Sequence, residues 1–534
     1  MTYVSPLQTD PNRILVFDTS LRDGEQAPGF SLGVRDKLMM AHALKNLGVD
    51  IIEAGFAASS PGDEDAIRAI ASEVEGPILC SLSRGLESDL DAAARALAPA
   101  KRKRVHIFLA TSPIHRAAKL KKSRSEVLEI GVRSVAYAAK LFDEVEFSPE
   151  DAIRTEPDFL AEICQAVADA GASTLNIPDT VGYSTPTEIK RIFTDLRVAL
   201  KDYPDIVFSA HCHNDLGLAS ANTLAALEAG ARQIECTING IGERAGNCSL
   251  EEVVMALRVR PDLFNVTTGI DTTQLASISR KLARATGSVI MRNKAIVGKN
   301  AFAHESGIHQ HGMLNDARTY EIMRPEDVGV EKSNMVLGKH SGRHAIAKQA
   351  AAFGYALDDL ALGEVFAAFK RRADEIGEID EAELRALLGR NNSHGDTARI
   401  QAVRTSVLKS GCEIAIELAH DNGDLEKVIG SGATAFDAGL NALAKAYNIA
   451  ADIADCEITQ TGFTFDTGAF AEISLSIKGE VYRGRGRGPD PVWAGLRALC
   501  DAFEKSVFLA PVKRRKTVPA ETISSKDTYH EKAR

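Results

Sequence analysis

Two histidines separated by one residue, His211 and His213, carry the clearest chemistry in this 534-residue chain. In an extended strand, residues i and i+2 project to one face, so both imidazoles can reach one ion while Cys212 points away. Asp23 and Asn247 are the oxygen donors that could complete the set. Two imidazoles and a carboxylate suit Zn, Mn, Co or Fe, and Mg remains an option with fewer nitrogen ligands. Such an ion keeps open positions for a chelating substrate. A 2-oxo acid offers two adjacent oxygens, and the cation would polarise its ketone. Arg22 is suited to clamp a carboxylate through its planar fork. The plainer alternatives are a structural ion pair of Arg22 with Asp23 or Glu25, and a simple hydrogen-bonded histidine pair. Asp215 could orient His213 or cap the helix that begins near Leu218.

These donors lie far apart in sequence, so something must bring them together. Short apolar runs recur at 14–19, 51–55, 78–83, 105–110, 145–147, 174–178, 207–213 and 233–238. Near-continuous apolar runs of about 4–8 residues fit strands buried on both faces. Helical spacing fills the gaps. RDKLMMAHALKNLG would place Leu38, His42, Lys45 and Leu47 across turns and stop at Gly48. Thr155 could cap the segment carrying Phe159, Ile163 and Val167. Strands alternating with helices over roughly 250 residues predict an α/β fold of (β/α)₈-barrel type. An open doubly wound sheet is the alternative. Only closure, which sets the eighth strand beside the first, lets Asp23, His211, His213 and Asn247 converge. Asp18, Glu53, Glu146, the stretch Pro178–Thr180 and Asn239 fall at or near strand ends, where barrel enzymes gather their chemistry.

The composition is that of an ordinary folded chain, 45% apolar and 25% charged. A formal net charge of -10 gives no basic footprint for nucleic acid. No run of about 18 apolar residues predicts a membrane span. The eight cysteines form no CxxC pair, which reads as free thiols in a reducing cytoplasm. The length suggests several domains. The reading is a catalytic barrel over 1–274, linker and helical subdomains over 275–400, a C-terminal α+β domain over 401–511 and a disordered tail over 512–534. GRNNSHGD at 389–396 is a hinge candidate.

Several motifs carry a family resemblance. FDTSLRDGEQAPG at 17–29, HCHNDLGLASANTLAALEAGA at 211–231 and INGIGERAGN at 238–247 resemble the signatures of the 2-isopropylmalate, homocitrate and citramalate synthases. GKNAFAHESGIHQHG at 298–312, TYEIMRPEDVG at 319–329 and LGKHSGRHA at 337–345 are similar to the bacterial 2-isopropylmalate branch. The resemblance covers residues 13–350 closely and 400–505 more loosely. It implies a divalent-metal acyltransferase using Mn, Zn, Mg or Co. The reaction would join acetyl-CoA to 3-methyl-2-oxobutanoate and open leucine biosynthesis. The implied metal ligands are Asp23, His211, His213 and Asn247. Arg22 and Thr180 would contact the oxo acid, with Glu146, His309 and Tyr320 catalytic and Glu305 assisting or binding substrate. Tyr320 would reach across from a second subunit of a homodimer. Ser20 and His311 depart from the commoner pattern without touching the metal set. Citramalate or homocitrate synthesis is the near rival, and a non-catalytic amino-acid sensor is the rival of a different class. No GxxxxGK[ST] loop is present for the CoA phosphates. The basic run 115–124 reads best as a solvated face. GERAG at 242–246 is the better anion cradle.

An internal repeat follows. Gly430 and Gly432 precede AGLNAL, while Gly486 and Gly488 precede AGLRAL, displaced by 56 residues. Each copy reads as a small sheet followed by a helix. The resemblance makes this a leucine-binding regulatory domain, with Gly430, Gly432, Asp437, Gly486, Gly488 and Asp490 as effector-site candidates. A dimerisation domain without effector is the alternative.

Overall fold

The structure is a computed structural model. It describes residues 7, 10, 12–304, 313, 316–330, 337–338, 341–353, 355, 357–379, 381–392, 399–408, 411–420, 423–460 and 468–508. The chain forms two compact units. One comprises 1–303 with 317–333, and the other 304–316 with 334–534.

The first unit is a closed eight-stranded parallel barrel. Its strands are β1 (Leu15–Asp18), β2 (Ile51–Glu53), β3 (Ile78–Arg84), β4 (Lys103–Ala110), β5 (Glu144–Glu150), β6 (Thr174–Asp179), β7 (Val207–Cys212) and β8 (Gln233–Cys236). Closure is direct: Leu15 to Asp18 pair with Gln233 to Cys236 in parallel register. The main core lies between strands and surrounding helices, with Val16, Ile52, Leu79, Ile107, Phe147 and Ile234 all fully or almost fully buried.

The helices form from amphipathic sequence with defined ends. Pro157–Asp169 starts with a proline at its first turn and buries Phe159, Leu160, Ile163, Cys164 and Val167. Thr155 does not cap it; its hydroxyl bonds the Asp151 carbonyl and the Thr111 hydroxyl instead. Arg124–Ala138 opens with a capping box between Ser123 and Glu126. Val34–Leu47 ends at Gly48, whose φ of 91° takes the left-handed turn. Its buried stripe is Lys37, Met40, Ala41, Leu44 and Leu47, while His42 faces outward. Lys37 is buried because its ammonium meets Glu25 at 2.6 Å and Asp63 at 2.9 Å. A lysine reads as polar in a hydrophobicity pattern, which is why the stripe predicted through Leu38, His42 and Lys45 is rotated from the observed one.

Leu275–Thr286 belongs to this unit, with Leu275, Ile278 and Leu282 in the barrel-side core. Residues 317–330 dock there too: the Thr272 hydroxyl donates to the Asp327 carbonyl at 2.6 Å.

The second unit holds helices Arg343–Ala352, Asp359–Ile376 and Glu381–Asn392 and two three-stranded antiparallel sheets. The first sheet is Arg399–Leu408, Gly411–Ala419 and Leu425–Gly432, followed by helix Ala435–Tyr447. The second is Asp452–Gln460, Ala469–Ile477 and Glu480–Gly488, followed by helix Pro491–Phe508. The repeat in sequence is thus a repeat in structure. Residues 389–392 continue a helix, and the rest of the proposed hinge lies outside the described residues. So does the tail from 509 onward. No described helix is long and apolar enough to cross a membrane.

Candidate active site at the strand ends of the barrel

His211 is the penultimate residue of β7, and His213, just past the strand end, forms an isolated bridge with Asn247. The two Nε2 atoms are 3.1 Å apart. Asp23, in the turn after β1, places Oδ2 3.3 Å from His211 Nε2 and 3.7 Å from His213 Nε2. All three side chains are buried. Donors about 2.1 Å from a shared ion stand about 3.0–3.4 Å apart in octahedral or tetrahedral arrangement, close to these spacings. Asn247 turns its amide nitrogen to the Ile241 carbonyl at 3.1 Å, which leaves Oδ1 buried without a partner. An orphaned buried acceptor beside such a cluster is what a fourth oxygen ligand requires. The residues therefore fit a divalent cation of the Zn, Mn or Co type.

Electrostatics agree. Burial would raise the Asp23 pKa, but Arg22 and both histidines hold it below the usual carboxylate value. Burial and then the neighbouring His211 depress His213 to about 4, leaving its ring neutral and able to donate a lone pair.

Beneath the histidines the barrel lumen is polar. Arg22 Nε donates to Glu53 at 2.6 Å and Nη2 to Glu235 at 3.1 Å, with Nη1 3.5 Å from Asp23. Thr19 donates to Glu53 at 2.6 Å. His106 lies between Glu53 at 2.8 Å and the Ser148 hydroxyl at 2.6 Å. Burial alone would lower the His106 pKa, yet Glu53 raises it to about 9. Asn176 donates to Ser148 at 2.9 Å and to Glu235 at 2.7 Å. Glu53, His106 and Glu235 would themselves satisfy a three-donor metal set. Arg22 already holds both carboxylates, so this group reads as an ion-pair network.

Comparison with known proteins fixes the family. Residues 13–282 match the model described as HMGL-like, 296–376 the homocitrate synthase post-HMGL domain-like model, and 378–507 the LeuA allosteric (dimerisation) domain. The chain is 47% identical to 2-isopropylmalate synthase of Xanthomonas euvesicatoria, over 92% of this chain and 95% of that protein. It is 46% identical to the protein of that name from Aquifex aeolicus, over 93% and 96%. The chain belongs to the 2-isopropylmalate synthase family. As a family member it is an acyltransferase, and the C-terminal face of its barrel carries the Asp23, His211 and His213 group that could hold a metal ion.

The residues picked out in the sequence fall in different places. Asp23, His211, His213 and Asn247 come together, with Arg22 beside them. Thr180 stands at the end of β6, where its hydroxyl accepts the Asp151 amide at 3.0 Å and its carbonyl accepts Arg244 at 2.8 Å. Asp215 does not orient His213. It pairs with Arg244 at 2.8 Å, and Asn214 accepts the Ala219 amide at the helix start instead. Glu146 is not brought to the histidines; it lies deep in the lumen between Arg104 at 2.8 Å and Gln233 at 2.8 Å. Ser148 does not cap a turn, because β5 runs on to Glu150. Glu144, Glu146, Ser148 and Glu150 alternate inward, and Glu150 is the carboxylate at the rim, 2.8 Å from Lys119. The basic run at 115–124 is mostly paired, with Arg116 buried against Glu156. Tyr320 is 43% exposed. Glu305 and His309 lie outside the described residues.

The six effector-site candidates all have packing or capping partners. A Cβ on Gly430 would come 2.1 Å from the Ala438 carbonyl, and one on Gly486 2.4 Å from that of Ala494. Gly432 and Gly488 meet Asp437 and Trp493 in the same way. These glycines let a helix lie directly on its sheet. Asp437 closes a capping box with Thr434, and Asp490 accepts the Trp493 amide at 2.9 Å.

The functional groups missed in sequence are His106, Asn176 and Glu235. Their signal was present: a charged or amide side chain inside an otherwise apolar buried strand must have partners.

Proposed function

We infer that this chain condenses acetyl-CoA with 3-methyl-2-oxobutanoate and water, giving 2-isopropylmalate and free CoA. The observation that carries the reading is the donor cluster of Asp23, His211, His213 and the unpartnered Asn247 Oδ1, with Arg22 alongside. A divalent cation bound there supplies Lewis-acid polarisation of the ketone. Arg22 binds the substrate carboxylate, its fork held in place by Glu53 and Glu235. The acetyl methyl group loses a proton and its carbon bonds to the ketone carbon. The ketone oxygen takes up a proton, and water then cleaves the thioester. The family resemblance gives the proton transfers to His309, with Glu305 and Tyr320. Thr180 and Glu150 stand at the rim of the barrel's C-terminal face. Glu146 balances Arg104 in the lumen, away from the histidine cluster.

The C-terminal unit is the seat of homodimer formation and of inhibition by leucine. Its match to an allosteric (dimerisation) domain supports both. The glycines and aspartates of the repeat pack and cap that unit, and the same positions remain the candidates for effector contact.

The test is thiol release from acetyl-CoA over a panel of 2-oxo acids, with and without chelator and leucine. Highest turnover with 3-methyl-2-oxobutanoate, abolished in metal-free protein, is the expected result. Preference for pyruvate or 2-oxoglutarate would move the chain to a sister activity. Undiminished turnover in verified metal-free protein would overturn the mechanism, and no thiol release with any oxo acid would favour a sensor.

A further inference from the structure

Glu235 is 1% exposed and sits on β8 opposite His211 of β7 in register. Its Oε1 lies 3.0 Å from His211 Nδ1 and 3.1 Å from Arg22 Nη2. Its Oε2 accepts from Asn176 Nδ2 at 2.7 Å, which anchors the carboxylate to β6. One carboxylate thus touches a metal-donor histidine and the arginine assigned to the oxo-acid carboxylate. The contact with His211 is a close approach of a carboxylate oxygen to the ring nitrogen rather than a well-aligned hydrogen bond. Two facing lone pairs at 3.0 Å would repel, so Nδ1 must carry a proton. That leaves the Nε2 lone pair directed toward Asp23 and His213.

Glu53 provides the contrast. It grips Arg22 at Nε and bonds Thr19 and His106, and its contacts do not include His211. The two carboxylates divide the work. Glu53 fixes the arginine, while Glu235 fixes the arginine and the histidine against each other.

We propose that Glu235 is a positioning residue that sets the spacing between the cation's histidine and the oxo acid's arginine. This rests on the functional reading given above. A chelated 2-oxo acid must meet the ion through its ketone and the guanidinium through its carboxylate at once. A shared anchor for both protein groups keeps that distance constant.

The test uses full-length E235Q and E53Q. Zn(II) and Mn(II) affinities are measured by titration calorimetry on stripped protein. KM is measured for both substrates at saturating metal, with Tm as a check on folding. E235Q is expected to weaken metal binding about 10–100-fold, the usual cost of removing an outer-sphere partner. It should also raise the KM for 3-methyl-2-oxobutanoate and leave that for acetyl-CoA unchanged. E53Q should raise the oxo-acid KM and leave metal affinity within about twofold, because it keeps the His211 partner. Folded E235Q with unaltered metal affinity, or E53Q weakening the metal as much as E235Q, overturns the proposal. Where E235Q does not fold, ¹⁵N-imidazole spectra of Zn-loaded wild-type protein decide instead. A proton on His211 Nδ1 supports the proposal, and one on Nε2 overturns it. Wild-type protein that binds neither metal would refute the underlying functional reading instead.

Discussion

Gly242 gives a sharp test of how the Asn247 ligand is placed. It sits at φ +150°, and a Cβ there would lie 2.2 Å from Asn247 Nδ2. Ordinary contact begins near 3.4 Å, so the G242A methyl trespasses by about 1.2 Å on the amide. The backbone strain alone costs upward of about 1 kcal/mol. Relief requires Asn247 to withdraw, breaking the 3.1 Å bond to the Ile241 carbonyl that aims Oδ1. Misplacing a reacting or liganding group by about 1 Å costs on the order of 100-fold, or about 2.7 kcal/mol. The assay is metal-titrated thiol release with calorimetric metal affinity on the same sample. G242A should need roughly 100-fold more metal for half-maximal activity. G76A is the control: it also has positive φ, +122°, but its Cβ would meet nothing within 4 Å. It should lower Tm and leave metal affinity intact. A folded G242A protein with wild-type metal affinity would refute the placement of Asn247 as a ligand.

The remaining predictions concern the lumen and the repeat. The raised pKa of His106 makes the Glu53–His106 pair a source of stability that is fully present below about pH 6.5, the unfolded value. It is lost as pH rises through about 9, so the Tm gap between wild type and H106Q should narrow over that window; a gap constant from pH 6 to 10 contradicts the assignment. D490A removes the cap of helix Pro491–Phe508 and should cost about 1 kcal/mol in urea unfolding, with metal affinity unchanged. G486A should destabilise the C-terminal unit more, because its Cβ strikes backbone at 2.4 Å; equal Tm for G486A and wild type would show that the helix can lift away freely.

The barrel was legible because strands buried on both faces leave apolar runs that polar helix faces interrupt. The convergence of these side chains was legible because His211 and His213 fall two apart, Asn247 follows the neighbouring strand and closure adds Asp23. β5 was seen only as Val145–Phe147, since its lumen-facing residues Glu144, Glu146, Ser148 and Glu150 are all polar. The same blindness hid Lys37, whose burial depends on Glu25 and Asp63, groups distant in sequence. It also made Glu146 look like a strand-end acid. Pattern shows that it faces inward, but the depth within the lumen depends on register with β4 and β6, which no local pattern encodes. The repeat was readable as architecture. Its glycines invited a ligand-site reading because close helix–sheet approach and close ligand approach leave the same residue type behind.

The pairing of β1 with β8 also fixes when the enzyme can become competent during synthesis. Asp23 leaves the ribosome early, with Arg22 next to it, and must wait for almost the whole barrel segment to emerge before Asn247 can join it. A partial barrel lacks the full set: the histidines and Asn247 meet at the neighbouring β7 and β8, but Asp23 reaches them only across the seam. Capture of the cation is therefore a late event of maturation, coincident with sealing of the sheet, and nascent chains stalled before the eighth strand should retain no tight metal.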